Sequence, residues 1–416
     1  MDGSIQYPRL RWLVLVTVVI GYIALSINMI GFAPLLPEIA KDLKIDMGTA
    51  TNLMTASAFY ASVALIIGGF LCDRLGIMFV VILSLMGTAL STTLIPWLGT
   101  SYKAVLWIRT VQGAAGGVLF CVMSPICAIW FPQRQRGLAS GLMGGAVSVG
   151  SAIGVLAAPA LFLALKSWQQ MAAWLSVFSW IGLVLALVTV FSPKPRLPSQ
   201  VEAGGAPDKT AFKRALASPI TWIGIFVTFF IAWCLQATYN LTPSYLAADK
   251  PMGVGFGPMM SGKLMMAVMI AGIIGPVIAG LLQDKVFRGN PKPVMLIGFI
   301  LCIFVYATVF PFVYTHLFLL VVSLILVGAG IQFVYPAIVV YVSAAYPIHT
   351  VGKMLGLWMG LGMFGGAAGL FAGGFALARF GNYNVSIMLI ALAALFGFIL
   401  ALFLAKPKQL EAISKV

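Results

Sequence analysis

Carboxylates are what this chain most lacks. Ten Asp and Glu stand against 25 Lys and Arg in 416 residues, and charged residues make up 8% of the whole. A soluble globular chain carries about 25%, so a large water-soluble domain has no room here. The ten acids are Asp2, Glu38, Asp42, Asp46, Asp73, Glu202, Asp208, Asp249, Asp284 and Glu411. Each falls in a loop, a tail or a turn, and none stands at the centre of an apolar run. Histidine is nearly absent too: His316 and His349 sit at run ends. The five cysteines (Cys72, Cys121, Cys127, Cys234, Cys302) lie in or at the ends of apolar runs without metal-ligand spacing. They read as buried free thiols packing as small hydrophobes. No metal or other cofactor is expected. No G-x-x-x-x-G-K-[ST] loop occurs, so ATP is not the expected energy source. An enzyme needs a convergent set of acid, base or metal ligands. The apolar runs hold none, so the chain is not read as an enzyme.

What is present instead is apolar length. Hydrophobic residues are 61% of the chain, in runs of about 18–25 that each suffice to cross the hydrocarbon core of a bilayer. Lipid admits only helices and closed barrels, and continuous rather than alternating runs exclude a barrel. The expected fold is an all-α membrane protein of twelve transmembrane helices. The spans read as roughly 11–33, 50–72, 77–98, 102–129, 137–162, 169–191, 219–241, 259–282, 293–313, 317–344, 354–377 and 384–404. The first run is too long for a signal h-region and lacks a small-residue cleavage site, so no cleavable signal is expected.

The formal net charge of +15 has a source other than nucleic acid, which is not an expected partner. With the N-terminus inside, 17 of the 25 basic residues fall in inner segments and six in outer ones. This bias places both termini in the cytoplasm and the chain in a plasma (inner) membrane. The basic loops then face anionic lipid.

The chain divides and repeats. Ser192 to Ser218 is rich in Pro and Gly and reads as a cytoplasmic linker (192–218), with a short amphipathic piece near Phe212–Leu216. It separates an N-terminal six-helix bundle (1–191) from a C-terminal one (219–416). GFLCDRLG (Gly69–Gly76) ends span two, and GLLQDK (Gly280–Lys285) ends span eight, 211 residues later. WFPQRQRGLASGLMGG (Trp130–Gly145) is answered by AYPIHTVGKMLGLWMG (Ala345–Gly360), 215 residues on. Gly150 and Gly154 then match Gly365 and Gly369. Two parallel pseudo-symmetric halves describe a transporter with alternating access.

These motifs resemble those of the major facilitator superfamily over essentially the whole chain. The family's loop motif G-x-x-x-D-R-x-G-R-[K/R] is matched by Gly69, Asp73, Arg74 and Gly76, while its trailing basic positions are Ile77 and Met78. The resemblance implies a cytoplasmic gate at these residues and at Gly280 and Asp284, with a latch weakened by the missing basics. A tight interhelical turn is the plainer reading of the same residues. Span four carries R-x-x-Q-G as Arg109, Gln112 and Gly113. An arginine inside an apolar span is costly and should face a cavity or a partner. The resemblance implies a role in substrate binding or proton coupling, and a structural arginine bonded to carbonyls of a neighbouring helix is the alternative. Span five is rich in glycine (Gly141, Gly144, Gly145, Gly150, Gly154), and small residues let helices cross closely. The antiporter form of this motif pairs Gly with Pro, whereas Pro159 here is displaced.

Lys263 opens span eight, 21 residues before Asp284, a rise of about 31 Å. Facing the cavity and snorkelling to the outer surface both stand. Further candidate substrate contacts lie in the cavity-lining spans that the resemblance implies: Tyr22 and Asn28 in span one, Gln112 in span four, Trp233, Gln236, Tyr239 and Asn240 in span seven, Gln332 and Tyr335 in span ten. Proton-exchanging exporters of cations need a membrane carboxylate, and none is available. Cationic Arg109 and Lys263 point instead to a small organic anion, carboxylate-like, which would gain charge-assisted hydrogen bonds. A proton would have to travel with it, or transport would be exchange or facilitated diffusion. The rivals are a proton-coupled drug or metabolite exporter and a receptor that binds without flux. The stretches where nitrate porters of this superfamily carry an arginine, Ala64–Gly68 and Gly272–Ala279, hold none. The carrier is expected to work as a monomer embedded in the lipid bilayer.

Overall fold

The computed structural model describes residues 10–190, 214–346 and 348–405. Most of the linker expected at 192–218 therefore lies outside the described residues, and a short helical turn at 214–217 is what is seen of it. The described chain is helical. α1 is Arg11–Ile30, followed after a 3-10 turn by the short α2, Leu36–Asp42. Then come α3 Met47–Leu75, α4 Ile77–Thr93, α5 Ile95–Leu98, α6 Tyr102–Phe120, α7 Met123–Trp130, α8 Gln133–Leu165, α9 Trp168–Leu175 and α10 Val177–Val190. The rest are α11 Pro219–Ala247, α12 Gly257–Leu281, α13 Pro291–Ile303, α14 Pro311–Thr315, α15 Leu317–Ala345, α16 Ile348–Gly362, α17 Phe364–Phe380 and α18 Asn384–Leu402. Among the described residues eleven helical stretches are long and apolar enough to cross a membrane, and α4, at 17 residues, is a shorter apolar helix. Together they follow the twelve runs of the sequence. Spans four, six and eleven are each built from two helices with a break between them.

The chain forms two compact units, residues 1–45 with 56–203, and residues 46–55 with 204–416. In the first unit α1 packs on α8 and α10, and α4 packs on α6 and α10. In the second, α11 packs on α17 and α18, and α13 packs on α15 and α18. These are the same pairings one repeat apart. Glycine makes the first of them possible. A Cβ on Gly154 would stand 3.0 Å from Ile27 Cα, and one on Gly150 would meet Ile23 O. One repeat later Gly365 meets Phe229 O and Gly369 lies against Trp233. By contrast Gly141, Gly144 and Gly145 of the same α8 have nothing within reach of a Cβ. The glycine-rich run thus holds two populations, close-packed and open. Many outward side chains are large and apolar, such as Phe318, Phe70 and Trp107, each at least 70% exposed. Hydrocarbon tolerates such a surface where water would not.

Asp46 starts α3. Its carboxylate accepts from the Thr49 N–H at 2.9 Å and from the Thr49 hydroxyl. These bonds hold its pKa below the ordinary carboxylate value. A group depressed in the folded state contributes stability above its unfolded pKa and loses it as pH falls through the folded one. Asp46→Ala is therefore expected to cost about 1 kcal/mol at neutral pH. That cost should begin to shrink as pH falls below the ordinary carboxylate pKa toward the lower folded one, and thermal melts of both proteins across pH 3–7 check this.

Candidate functional site

In the first unit the candidates gather at the end of α1. The last four carbonyls of a helix have no partner within it, and α1 has no basic residue in its final turn. Arg109, reaching over from α6, supplies the missing donors. Its guanidinium donates to Asn28 O and to Met29 O, each at 3.3 Å, and to the Gln112 side-chain oxygen. It also lies 4.8 Å from the centre of the Phe32 ring. A cation at a helix C-terminus is favoured by the helix dipole. Gln112 in turn donates to Asn28 O at 3.3 Å and to the Thr92 hydroxyl at 3.2 Å. Asn28 donates to Ala24 O and to Ser179 Oγ. Arg109 is 1% exposed, and Asn28 and Gln112 are fully buried. Three of the sequence candidates thus form one network. Tyr22 stands apart from it, its hydroxyl donating to Leu119 O at 3.1 Å.

Thr92, Ser179 and Phe32 belong to this network and were not among the candidates. Phe32 could have been suspected, because an arginine in an apolar span favours an aromatic face. The two main-chain acceptors carry no mark in sequence at all.

In the second unit the candidates fall into two adjacent groups. Trp233 and Gln236 face α17, where Gly369 and Gly366 leave room for them. Asn240, one turn on, donates to Gln236 O at 2.8 Å. Tyr239 and Tyr335 lie close together. The Tyr239 hydroxyl stands near the Gln332 amide without a well-aligned hydrogen bond. Gln332 itself packs over Gly275 of α12. Among these candidates Trp233 Nε1, Tyr239 OH and Tyr335 OH are buried donors without a well-aligned protein acceptor, a condition that Thr238, Thr242, Trp358 and Tyr383 of the same unit share. Buried donors are rarely left so, and a bound acceptor would complete them.

Lys263 is exposed on α12. On the same helix Ile270, Ile274, Val277 and Leu281 follow at i+7, i+11, i+14 and i+18, all of them exposed. The lysine therefore heads an aliphatic face, away from Gln332 and its neighbours.

At the loop motif, Gly76 joins α3 to α4 alone and has φ +85°, which a side chain would resist. Gly69 and Gly280 have open space around them. Arg74 is exposed, and the Asp73 side chain lies outside the described parts. Asp284 sits in a π-helical turn, Leu282–Val286, that prolongs α12. The two repeats thus differ here: a single glycine turns the chain in one, a π turn in the other.

A family model described as Major Facilitator Superfamily matches residues 18–315 and 288–416. A probable sulfoacetate transporter from Cupriavidus necator is 22% identical over 409 residues, with 92% of this chain and 91% of that protein covered. A D-galactonate transporter from Escherichia coli is 23% identical over 308 residues, 67% of this chain and 68% of that one. The crystal structure of a bacterial homolog of the human lysosomal transporter Spinster matches with a TM-score of 0.70 at 14% identity, covering 95% of this chain and 98% of that chain. That likeness is one of fold.

Proposed function

Because the chain belongs to the major facilitator superfamily, we propose that it carries a small organic anion across the membrane by alternating access. The observation that supports this most directly is the trio of buried donors without well-aligned protein acceptors, Trp233 Nε1, Tyr239 OH and Tyr335 OH. A carboxylate or sulfonate offers only acceptors, so it can satisfy donors of this kind. The charge distribution agrees: Arg109 is cationic within α6, and the centres of the apolar runs hold no Asp or Glu to pair with a cationic substrate. The names of two relatives, for sulfoacetate and D-galactonate, point to the same class. Arg109 is the candidate for the anion's charge partner, in exchange for one of the α1 carbonyls it now holds. In this reading Lys263 would snorkel to the outer surface, its stem running along the aliphatic face that it heads.

The test is uptake into proteoliposomes, after a thermal-shift screen of carboxylates, sulfonates and cationic drugs on the purified carrier. Carboxylates or sulfonates are expected to raise the melting temperature. Tyr239→Phe and Tyr335→Phe each remove one hydroxyl and little volume. Each is expected to raise KM about tenfold, a loss of roughly 1.4 kcal/mol. Stabilisation by cationic drugs but not by anions would overturn the reading. Binding of an anion without uptake would favour a receptor.

A further inference from the structure

The last turns of α3 present a face with two halves. Ile67, Phe70, Leu71, Arg74 and Leu75 are spaced i, i+3, i+4, i+7 and i+8, one side of a helix. They line an open groove of about 480 Å³. Phe70 is 71% exposed and Ile67 49%, so water would find this a poor surface. Ile67, Phe70 and Leu71 belong to the stretch Met47–Cys72 that is apolar enough to cross a membrane, and Arg74 and Leu75 follow two and three residues after its end. Arg74 is itself exposed, and among the described residues no carboxylate comes within ion-pair distance of it.

The geometry points to an anionic phospholipid as the occupant of this groove. Its phosphate would pair with Arg74 and one acyl chain would lie on Ile67, Phe70 and Leu71. A soluble anion has no use for the apolar half, and a zwitterionic lipid brings its own cation beside the phosphate, which weakens the attraction to the guanidinium. An anionic phospholipid uses both, and its charge sits at the depth where the helix leaves the apolar stretch. The side agrees as well: the positive-inside count assigns this end to the cytoplasm, where anionic lipid is found.

Native mass spectrometry of the full chain, released from micelles with equal phosphatidylglycerol and phosphatidylcholine, tests this. The wild type is expected to retain phosphatidylglycerol preferentially. Arg74→Gln is expected to lower that preference about fivefold, the effect of one basic residue at an anionic surface. Phe70→Gln is expected to lower total lipid retention, whereas Phe403→Gln, at an equally exposed apolar position of the second unit, is not. All three lie on the surface, and their melting temperatures show that they fold. Equal phosphatidylglycerol retention by wild type and Arg74→Gln overturns the proposal. So does a loss of retention at Phe403→Gln equal to that at Phe70→Gln.

Discussion

Replacing Arg109 by alanine is expected to reduce anion uptake at least a hundredfold and to weaken the unliganded protein by about 2 kcal/mol. The second number comes from what the guanidinium touches. It gives hydrogen bonds to Asn28 O, Met29 O and Gln112, and such bonds inside membrane proteins average about 0.6 kcal/mol each. Contact with the Phe32 ring adds a similar amount, while release of a desolvated charge works in the other direction. The first number comes from losing the one cation within the network that also holds Asn28 and Gln112. Two further variants separate these roles. Arg109→Lys keeps the charge but cannot bridge two carbonyls with a planar fork. Should the helix end be the main client, lysine melts like alanine. Should the anion be the main client, Arg109→Lys keeps measurable uptake, and Arg109→Met melts normally but loses the shift on adding anion. Melting curves with and without anion, together with uptake, read all three. Wild-type uptake by Arg109→Ala would remove this residue from the mechanism.

The spans were legible because lipid leaves the sequence little freedom. Each crossing must be a long apolar run, and the runs from 11–33 to 384–404 reappear as helices at nearly the same bounds. The repeat was legible for a related reason: Gly150 and Gly154 must stay small where α1 crosses α8, and so must Gly365 and Gly369 in the second unit. Other features left no mark. Gly141 and Gly150 look alike in sequence, yet one faces open space and the other a backbone carbonyl. The break between α6 and α7 at Cys121 and Val122 has no proline at it. The sequence placed Arg109 inside a span but left it between a ligand and a structural role. Its main partners are carbonyl oxygens, which every residue has, so only the folded chain could show them. Tyr239, Gln332 and Tyr335 were picked as polar or aromatic residues in spans that the resemblance implies line the cavity, and their proximity depends on how α11 meets α15.

Leucine at Gly117 is expected to prevent recovery of folded carrier, the largest effect on stability foreseen for a single substitution. A Cβ at this position would meet Ala61 O, with Ala61 C and Cα at 2.8 Å. One turn earlier, a Cβ on Gly113 would meet Ser57 O, with Ser57 C and Cα at 2.7 Å. The obstruction is helix backbone on α3, which cannot swing aside as a side chain can. Overpacking commonly costs 1–3 kcal/mol when neighbours can adjust, and here the helices must separate, so about 3 kcal/mol is a lower bound. Size-exclusion profiles and melting temperatures of the purified variants measure it, with Gly141→Ala as the control. That position has nothing within 4 Å, so alanine there is expected to stabilise by about 0.5–1 kcal/mol. A monodisperse Gly117→Leu with wild-type melting would show that α3 and α6 do not cross this closely. The same crossing fixes Arg109, which precedes Gly113 by one turn of α6. Its bonds to Asn28 O and Met29 O are already 3.3 Å long, near the limit for a hydrogen bond. Gly113→Ala, a smaller wedge, should therefore lower uptake even where the protein still folds, because pushing α6 from α3 shifts the guanidinium relative to the end of α1.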